Sequence, residues 1–243
     1  MKILAIDTSG PNCSVSILEN NSVLGDFTIH NGITHSQNLV PMIEQVQRFT
    51  NLDLNDIDIF ACSIGPGSFT GLRIGLATIK GFAISLQKKV IGVPTLLSLA
   101  YNVSQFNGTI CALLDARNNN VYAGLYRKQD DHKINLIGDY ISDSIDTLIQ
   151  AIKQQDSAIP ILFVGDGVEV YKEKLINELT SPLENHYTLS FAPAHQNGQY
   201  ALSVARAAND MASCNEFSDY HSLTPLYLKK SQAERMLETK KEG

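Results

Sequence analysis

The sequence predicts an α/β protein built as two similar lobes, each a mixed β-sheet flanked by helices. Three observations lead there. The chain opens with three strand-like segments joined by turns and then alternates helix and strand. The pattern then restarts: Leu4-Ala5-Ile6-Asp7 ends a strand before a polar turn and a second strand, and Ala112-Leu113-Leu114-Asp115 does the same. The composition is adequate for two packed cores, with 44% hydrophobic and only 18% charged residues over 243 positions, too few charges for a disordered chain.

In the first half, Ile3–Ile6, Cys13–Leu18 and Val23–Ile29 are rich in β-branched and apolar residues and read as three antiparallel strands. Their turns are Thr8-Ser9-Gly10-Pro11-Asn12 and Glu19-Asn20-Asn21-Ser22. Ser36–Phe49 changes period, with Leu39, Met42, Ile43, Val46 and Phe49 on one helical face. Pro41 lacks a backbone donor, so it should kink this helix or mark its start. Ile57–Ile64 is a continuous apolar run, as in a buried strand. Gly65–Gly71 is a loop, Thr70–Leu86 a helix, Val90–Val93 a short strand and Thr95–Val103 a helix.

In the second half, Thr109–Asp115 and Val121–Tyr126 are strands around a turn at Asn118–Asn120, and Ile161–Val164 is a short buried strand. Ser144–Gln155, Val168–Leu179 and Gln199–Ala212 are helices. The polar stretch Ser104–Gly108 separates the halves. The expected division is a first lobe over 1–107, a second over 108–228 and a polar tail over 229–243. Two matching hairpins can also arise by coincidence, so the duplication is an expectation for the fold to test. The layout resembles the actin/Hsp70/sugar-kinase superfamily, in which two α/β lobes face each other across a cleft. Each lobe there opens with a hairpin whose tip points at nucleotide phosphates.

The formal net charge is −6, which argues against this chain being a principal nucleic-acid-binding surface. Cys13, Cys62, Cys111 and Cys214 form no CxxC pair, so zinc-ribbon and thioredoxin readings fail. Three of them lie in apolar runs and are expected to be buried free thiols. The chain starts directly in a strand, with no leader pattern and no apolar run judged long enough to span a membrane. The expectation is a reduced, cytoplasmic protein with no membrane partner.

The most specific local signal is Gly65-Pro66-Gly67-Ser68-Phe69-Thr70-Gly71-Leu72-Arg73-Ile74-Gly75, which follows a buried strand and opens a helix. Amides at a helix start can hold an anion, and glycines let it approach. Yet no P-loop lysine is present, and the dinucleotide fingerprint would need glycine where Thr70 stands. Ser68 or Thr70 also makes an ordinary helix cap. An anion site and a tight strand–helix turn both remain open. Asp7-Thr8-Ser9 offers a carboxylate and hydroxyls at a hairpin tip, suited to Mg²⁺ waters or phosphate, though Asp and Ser are common turn residues. Asp7, Thr8, Ser9, Gly65, Gly67 and Ser68 are therefore the candidate phosphate or nucleotide contacts. The counterpart turn, Asp115-Ala116-Arg117, carries side chains where glycine would let amides face phosphates.

The six histidines show no metal-ligand spacing. No GxSxG elbow supports an esterase. No catalytic residue and no metal ligand is assigned. In helix Thr70–Leu86 the small residues Ala77, Gly81 and Ser85 recur at every fourth position, with Gly71, Gly75 and Thr78 on an adjoining face. Small residues in register let another element come close. Packing on the chain's own sheet and a seam with another subunit both fit. Together with His35, Leu39, Met42, Ile43 and Val46 on the preceding helix, these residues form the candidate partner interface.

The run Ile3–Ser9, His35-Ser36, the Gly65–Gly75 segment, Asp115-Ala116-Arg117 with Val121-Tyr122, and Pro225-Leu226-Tyr227-Leu228 resemble the TsaB (YeaZ) family. The likeness runs from the first strand nearly to the end and is looser in the second half. It implies the two-lobed fold and a non-catalytic role beside TsaD, the paralogue that transfers threonylcarbamoyl to the tRNA adenosine next to the anticodon. It further implies a TsaE-type ATPase in the assembly, a homodimer through the first lobe when alone, and tRNA contact through the complex. The lone chain then requires no cofactor, and ATP or ADP is possible within the complex, in this cleft or at a subunit seam. The catalytic paralogue carries Asn-His-x-x-x-His after a Gly-Val pair. Here Gly92-Val93 is followed by Pro94, and Thr95 and Leu99 stand where the histidines would. The competing reading is an actin-like ATPase or small-molecule kinase, which needs two working phosphate loops.

Overall fold

A computed structural model describes residues 1–128, 133–180 and 187–228. The first sheet has five strands: β1 (Lys2–Asp7), β2 (Cys13–Glu19), β3 (Ser22–Ile29), β4 (Ile59–Gly65) and β5 (Lys89–Pro94). β1, β2 and β3 form an antiparallel meander, and β4 and β5 extend the sheet in parallel from β1. The spatial order is β3-β2-β1-β4-β5. Helices α1 (His35–Thr50), α2 (Phe69–Leu86) and α3 (Thr95–Tyr101) connect these strands and leave the last of them.

The second sheet contains β6 (Thr109–Asp115), β7 (Asn120–Lys128), β8 (Ile134–Ser144), β9 (Ile161–Val164) and β10 (Leu189–Phe191), in the order β10-β9-β6-β7-β8. From β8 inward this is the first sheet's order repeated, with the same antiparallel and parallel joints. The duplication read from the two hairpins therefore extends to all ten strands among the described residues. The remaining helices are α4 (Ile145–Lys153), α5 (Gly167–Leu179) and α6 (Ala201–Ser213).

Alternation along each strand sets the layers. In β1, Ile3 and Ala5 face a central core with Leu96, Leu99 and Ala100 of α3, and Val204, Ala205 and Ala208 of α6. Ile110, Ala112 and Leu114 of β6 close that core from the other side. The short side chains of α6 let one helix layer pack between two sheets. Leu4 and Ile6 face outward onto α1 and α2, and Cys111 and Leu113 of β6 face α4 and α5. The fold is the two-lobed actin/Hsp70/sugar-kinase architecture. α6 lies against β1 and β2, and the chain after it stays on the first sheet. Ser218 bridges Val90, Leu223 joins the outer core, and Leu226 N donates to Ile64 O at 2.7 Å.

Several expectations need correction here. Leu39, Met42, Ile43 and Val46, offered for a partner, are buried in the core under the first sheet. Phe49, assigned to that face, is 73% exposed and stacks on Phe27 at the sheet edge. Pro41 lies inside α1 and does not mark its start. α2, with 18 residues and mean hydropathy 1.2, is long and apolar enough to cross a membrane by length and composition. Its Leu72, Leu76, Ile79 and Ala83 are instead buried in the fold. β8 and β10 were not recognised in the sequence. Cys13, Cys62 and Cys111 are buried free thiols, and burial raises Cys62 to about 12. Cys214 is exposed. The proposed tail over 229–243 lies outside the described residues.

Candidate functional site

The turn between β1 and β2 holds the first group of candidate residues. β1 ends on Asp7, whose carboxylate is fully buried. Its Oδ1 accepts Ser9 N at 2.8 Å and Ser9 Oγ at 2.7 Å, while Oδ2 has no partner. Burial pushes the Asp7 carboxyl above its usual range, opposed by the Ser9 donors, Ser63 and the charge of His35. Thr8 Oγ1 donates to Gly71 O at 2.8 Å, and Ser68 N donates to Ser9 O at 2.7 Å. His35 Nε2 pairs with Gly10 O at 3.0 Å.

The glycines of the Gly65–Gly75 segment make this grip possible. A Cβ on Gly67 would stand 2.4 Å from Ser9 O, and one on Gly71 would stand 2.0 Å from Thr8 O. A Cβ on Gly75 would stand 2.4 Å from Thr8 Oγ1, and Gly65, at φ 118°, sits against Leu226 O. Ser68 caps α2 by accepting Gly71 N at 3.2 Å. The segment forms a tight strand–helix turn packed on the β1 tip. Asp7, Thr8, Ser9 and Gly65 are buried, and only Gly67 and Ser68 of the candidate phosphate contacts are exposed. Thr8 Oγ1 and Ser68 N are both engaged in holding the β1 tip.

The second hairpin repeats the arrangement with different chemistry. Asp115 Oδ1 accepts Arg117 N at 2.9 Å and Tyr171 Oη at 3.1 Å, and Asp115 N donates to Asp166 Oδ1 at 3.0 Å. Arg117, Asn118 and Asn119 take φ of 63°, 52° and 58°, left-handed conformations that asparagine tolerates better than arginine. Burial, then the neighbouring Asp115 charge, raises the Asp166 carboxyl against its backbone donors. Gly165-Asp166-Gly167 after β9 occupies the place of Gly65-Pro66-Gly67 after β4, with Gly165 at φ 120°. Sequence reading missed this correspondence. The signal was a Gly-x-Gly closing a buried strand and opening a helix in each half.

Thr95 and Leu99 are both fully buried at the start of α3, with Leu99 in the central core. Among the described residues no three His, Cys, Asp or Glu side chains gather as a metal site. His132 and His186 lie outside the described residues.

The candidate partner residues divide by face. Gly71 and Gly75 are buried against Thr8, Thr78 is half-buried and bonds Ile74 O at 2.9 Å, and half-buried His35 holds Gly10. Ala77, Gly81 and Ser85 face solvent, and a Cβ on Gly81 would meet nothing within 4 Å. Phe69 and Arg73 extend that exposed row at the same four-residue spacing, a continuation that sequence reading missed. The Arg73 guanidinium lies 3.7 Å from the Phe69 ring centre and its Nε donates to Tyr227 Oη at 3.2 Å. Ile84 beside the row is half exposed. The result is a shallow apolar ledge with an aromatic and cationic end.

Comparison with known proteins places this geometry. The family model described as "TsaD: tRNA N6-adenosine threonylcarbamoyltransferase" matches residues 30–237. The chain is 29% identical over 238 residues to the tRNA threonylcarbamoyladenosine biosynthesis protein TsaB of Bacillus subtilis (strain 168), covering 96% of each. It is 35% identical over 133 residues to the TsaB of Escherichia coli (strain K12), covering 54% of this chain and 57% of that one. The solved YeaZ from Pseudomonas aeruginosa superposes with a TM-score of 0.75 at 25% identity, covering 93% of this chain and 99% of that one. Shared over nearly its whole length and in fold, these likenesses make the chain a member of the TsaB/YeaZ family, within the wider group matched by the TsaD model.

Proposed function

We propose that this chain serves tRNA threonylcarbamoyladenosine synthesis as a partner subunit, docking on a TsaD-type transferase and supporting it without supplying the reaction centre. The names of its relatives support the pathway. The site chemistry supports the division of labour: Thr95 and Leu99 offer no histidine, and Asp7, Thr8 and Ser9 are buried and bonded internally. An actin-like ATPase or kinase needs phosphate to reach the first turn, and the Gly65–Gly71 loop lies over it. The assembly in this reading includes a TsaE-type ATPase, takes ATP or ADP at the level of the complex, and contacts tRNA through its partners. Alone, the chain pairs with itself through the same lobe.

The observation that carries the reading is the exposed row Phe69, Arg73, Ala77, Gly81 and Ser85 on α2. Its middle is free of bulky side chains, so a partner helix can approach closely. Gly81→Trp tests it. A Cβ at this position meets nothing within 4 Å, so the monomer should melt no lower than the native protein. Overpacking a seam costs about 1–3 kcal/mol, roughly a five- to hundredfold loss of affinity for the TsaD-type partner by titration calorimetry. Unchanged affinity in the folded variant would place the interface elsewhere.

A further inference from the structure

The β1–β2 turn is also held from a third side. Between β10 and α6 the chain runs through a short 3-10 turn at Ala194–Gln196 and then Asn197–Tyr200. Two polar side chains there are nearly buried, Asn197 at 8% and Gln199 at 3% exposure. Toward the first lobe, the Gln199 carboxamide lies on Gly10, where a Cβ would stand 2.1 Å from Oε1. Asn12 Nδ2 donates to Gln199 O at 3.4 Å, and Ala201 N, the first amide of α6, donates to Ser14 Oγ at 2.8 Å.

Toward the second lobe, Asn197 Oδ1 accepts Gly165 N at 3.0 Å and its Nδ2 donates to Ala192 O at 3.4 Å. In the helix layer between the sheets, Asn102 donates to Gln196 O at 2.6 Å and to Gly198 O at 2.8 Å, and accepts from Ser203 Oγ. One stretch of six residues therefore ties the tip of the first hairpin, the end of β9 and the end of α3. Such a buried network is cooperative, because a freed member leaves others without partners.

We infer that Gln196–Ala201 is an intramolecular lock that holds the two lobes closed and seats the Gln199 side chain on the Gly10 turn. The lock is independent of the partner-subunit reading, since it rests only on contacts within the chain. It makes the Gly10 turn and the Gly165 turn open together, although they lie in different lobes.

Hydrogen exchange on the full-length Asn102→Ala protein tests the coupling. Asn102 bonds neither turn directly, so a lock predicts at least tenfold faster exchange in residues 8–14 and 163–166 together, with α5 unchanged. Acceleration confined to 194–203 overturns the inference. Gly10→Ala reaches the lock from the opposite side, because its Cβ displaces Gln199 without demanding a left-handed backbone. It should accelerate the same two segments, and an unaltered exchange pattern in this variant counts equally against the lock.

Discussion

Asp7 spends one carboxylate oxygen on the Ser9 amide and hydroxyl and leaves the other without a partner. Desolvation is the largest influence on it and raises its folded pKa above the reference value of 3.8. The folded state therefore binds this proton more tightly than the unfolded chain does. Its contribution to stability is full below pH 3.8 and is lost as pH rises through the folded value. Asp7→Asn keeps an acceptor for Ser9 and carries no charge. The stability difference between variant and native protein, from urea unfolding at a series of pH values, should move in the variant's favour from acid to neutral pH. Subtracting the two curves cancels the titrating groups that do not interact with Asp7, so parallel curves would contradict the assignment. Sequence alone shows a carboxylate beside hydroxyls in a turn. It does not show how the turn is enclosed, because Gly67, Gly71 and Gln199, which close on Ser9, Thr8 and Gly10, are distant along the chain.

At the scale of the helix, α2 contains glycines with opposite duties. Gly71 and Gly75 admit the β1 tip, whereas Gly81 faces open space. Gly71→Ala should destabilise the protein by about 1–3 kcal/mol through overpacking against the Thr8 carbonyl. Gly81→Ala should stabilise it by about 1 kcal/mol through helix propensity. Denaturant midpoints of the two variants should thus shift in opposite directions, and a shared direction would show that packing does not separate them. The four-residue spacing was legible, but which row faced the sheet was not. The stripe on α1 was misassigned for the same reason: periodicity identifies an apolar face without saying what covers it. β8 escaped notice because it is a half-exposed edge strand interrupted by Gly138 at φ 70°, which breaks the two-residue alternation. β10 is three residues long, too short for a pattern to register.

For the whole molecule, two hairpin endings, Asp7 and Asp115, were enough to suggest the duplication that the two sheets repeat strand for strand. Less legible was the return of the last part of the chain. α6 carries an alanine-rich face that fits a layer between sheets, yet its docking on β1 and β2 depends on Ser14 and Gln199, which no local pattern links. Within that duplicated fold the first turn is filled by the chain itself, which is consistent with the proposed function. The most direct measurement is threonylcarbamoyl transfer to tRNA in a reconstituted reaction containing the TsaD-type enzyme, the TsaE-type ATPase and this chain. The account predicts no transfer by this chain alone, and transfer by the TsaD-type enzyme that rises when this chain is added and falls back with Gly81→Trp. Transfer by this chain in the absence of the TsaD-type enzyme, or an enzyme indifferent to its addition, would contradict it.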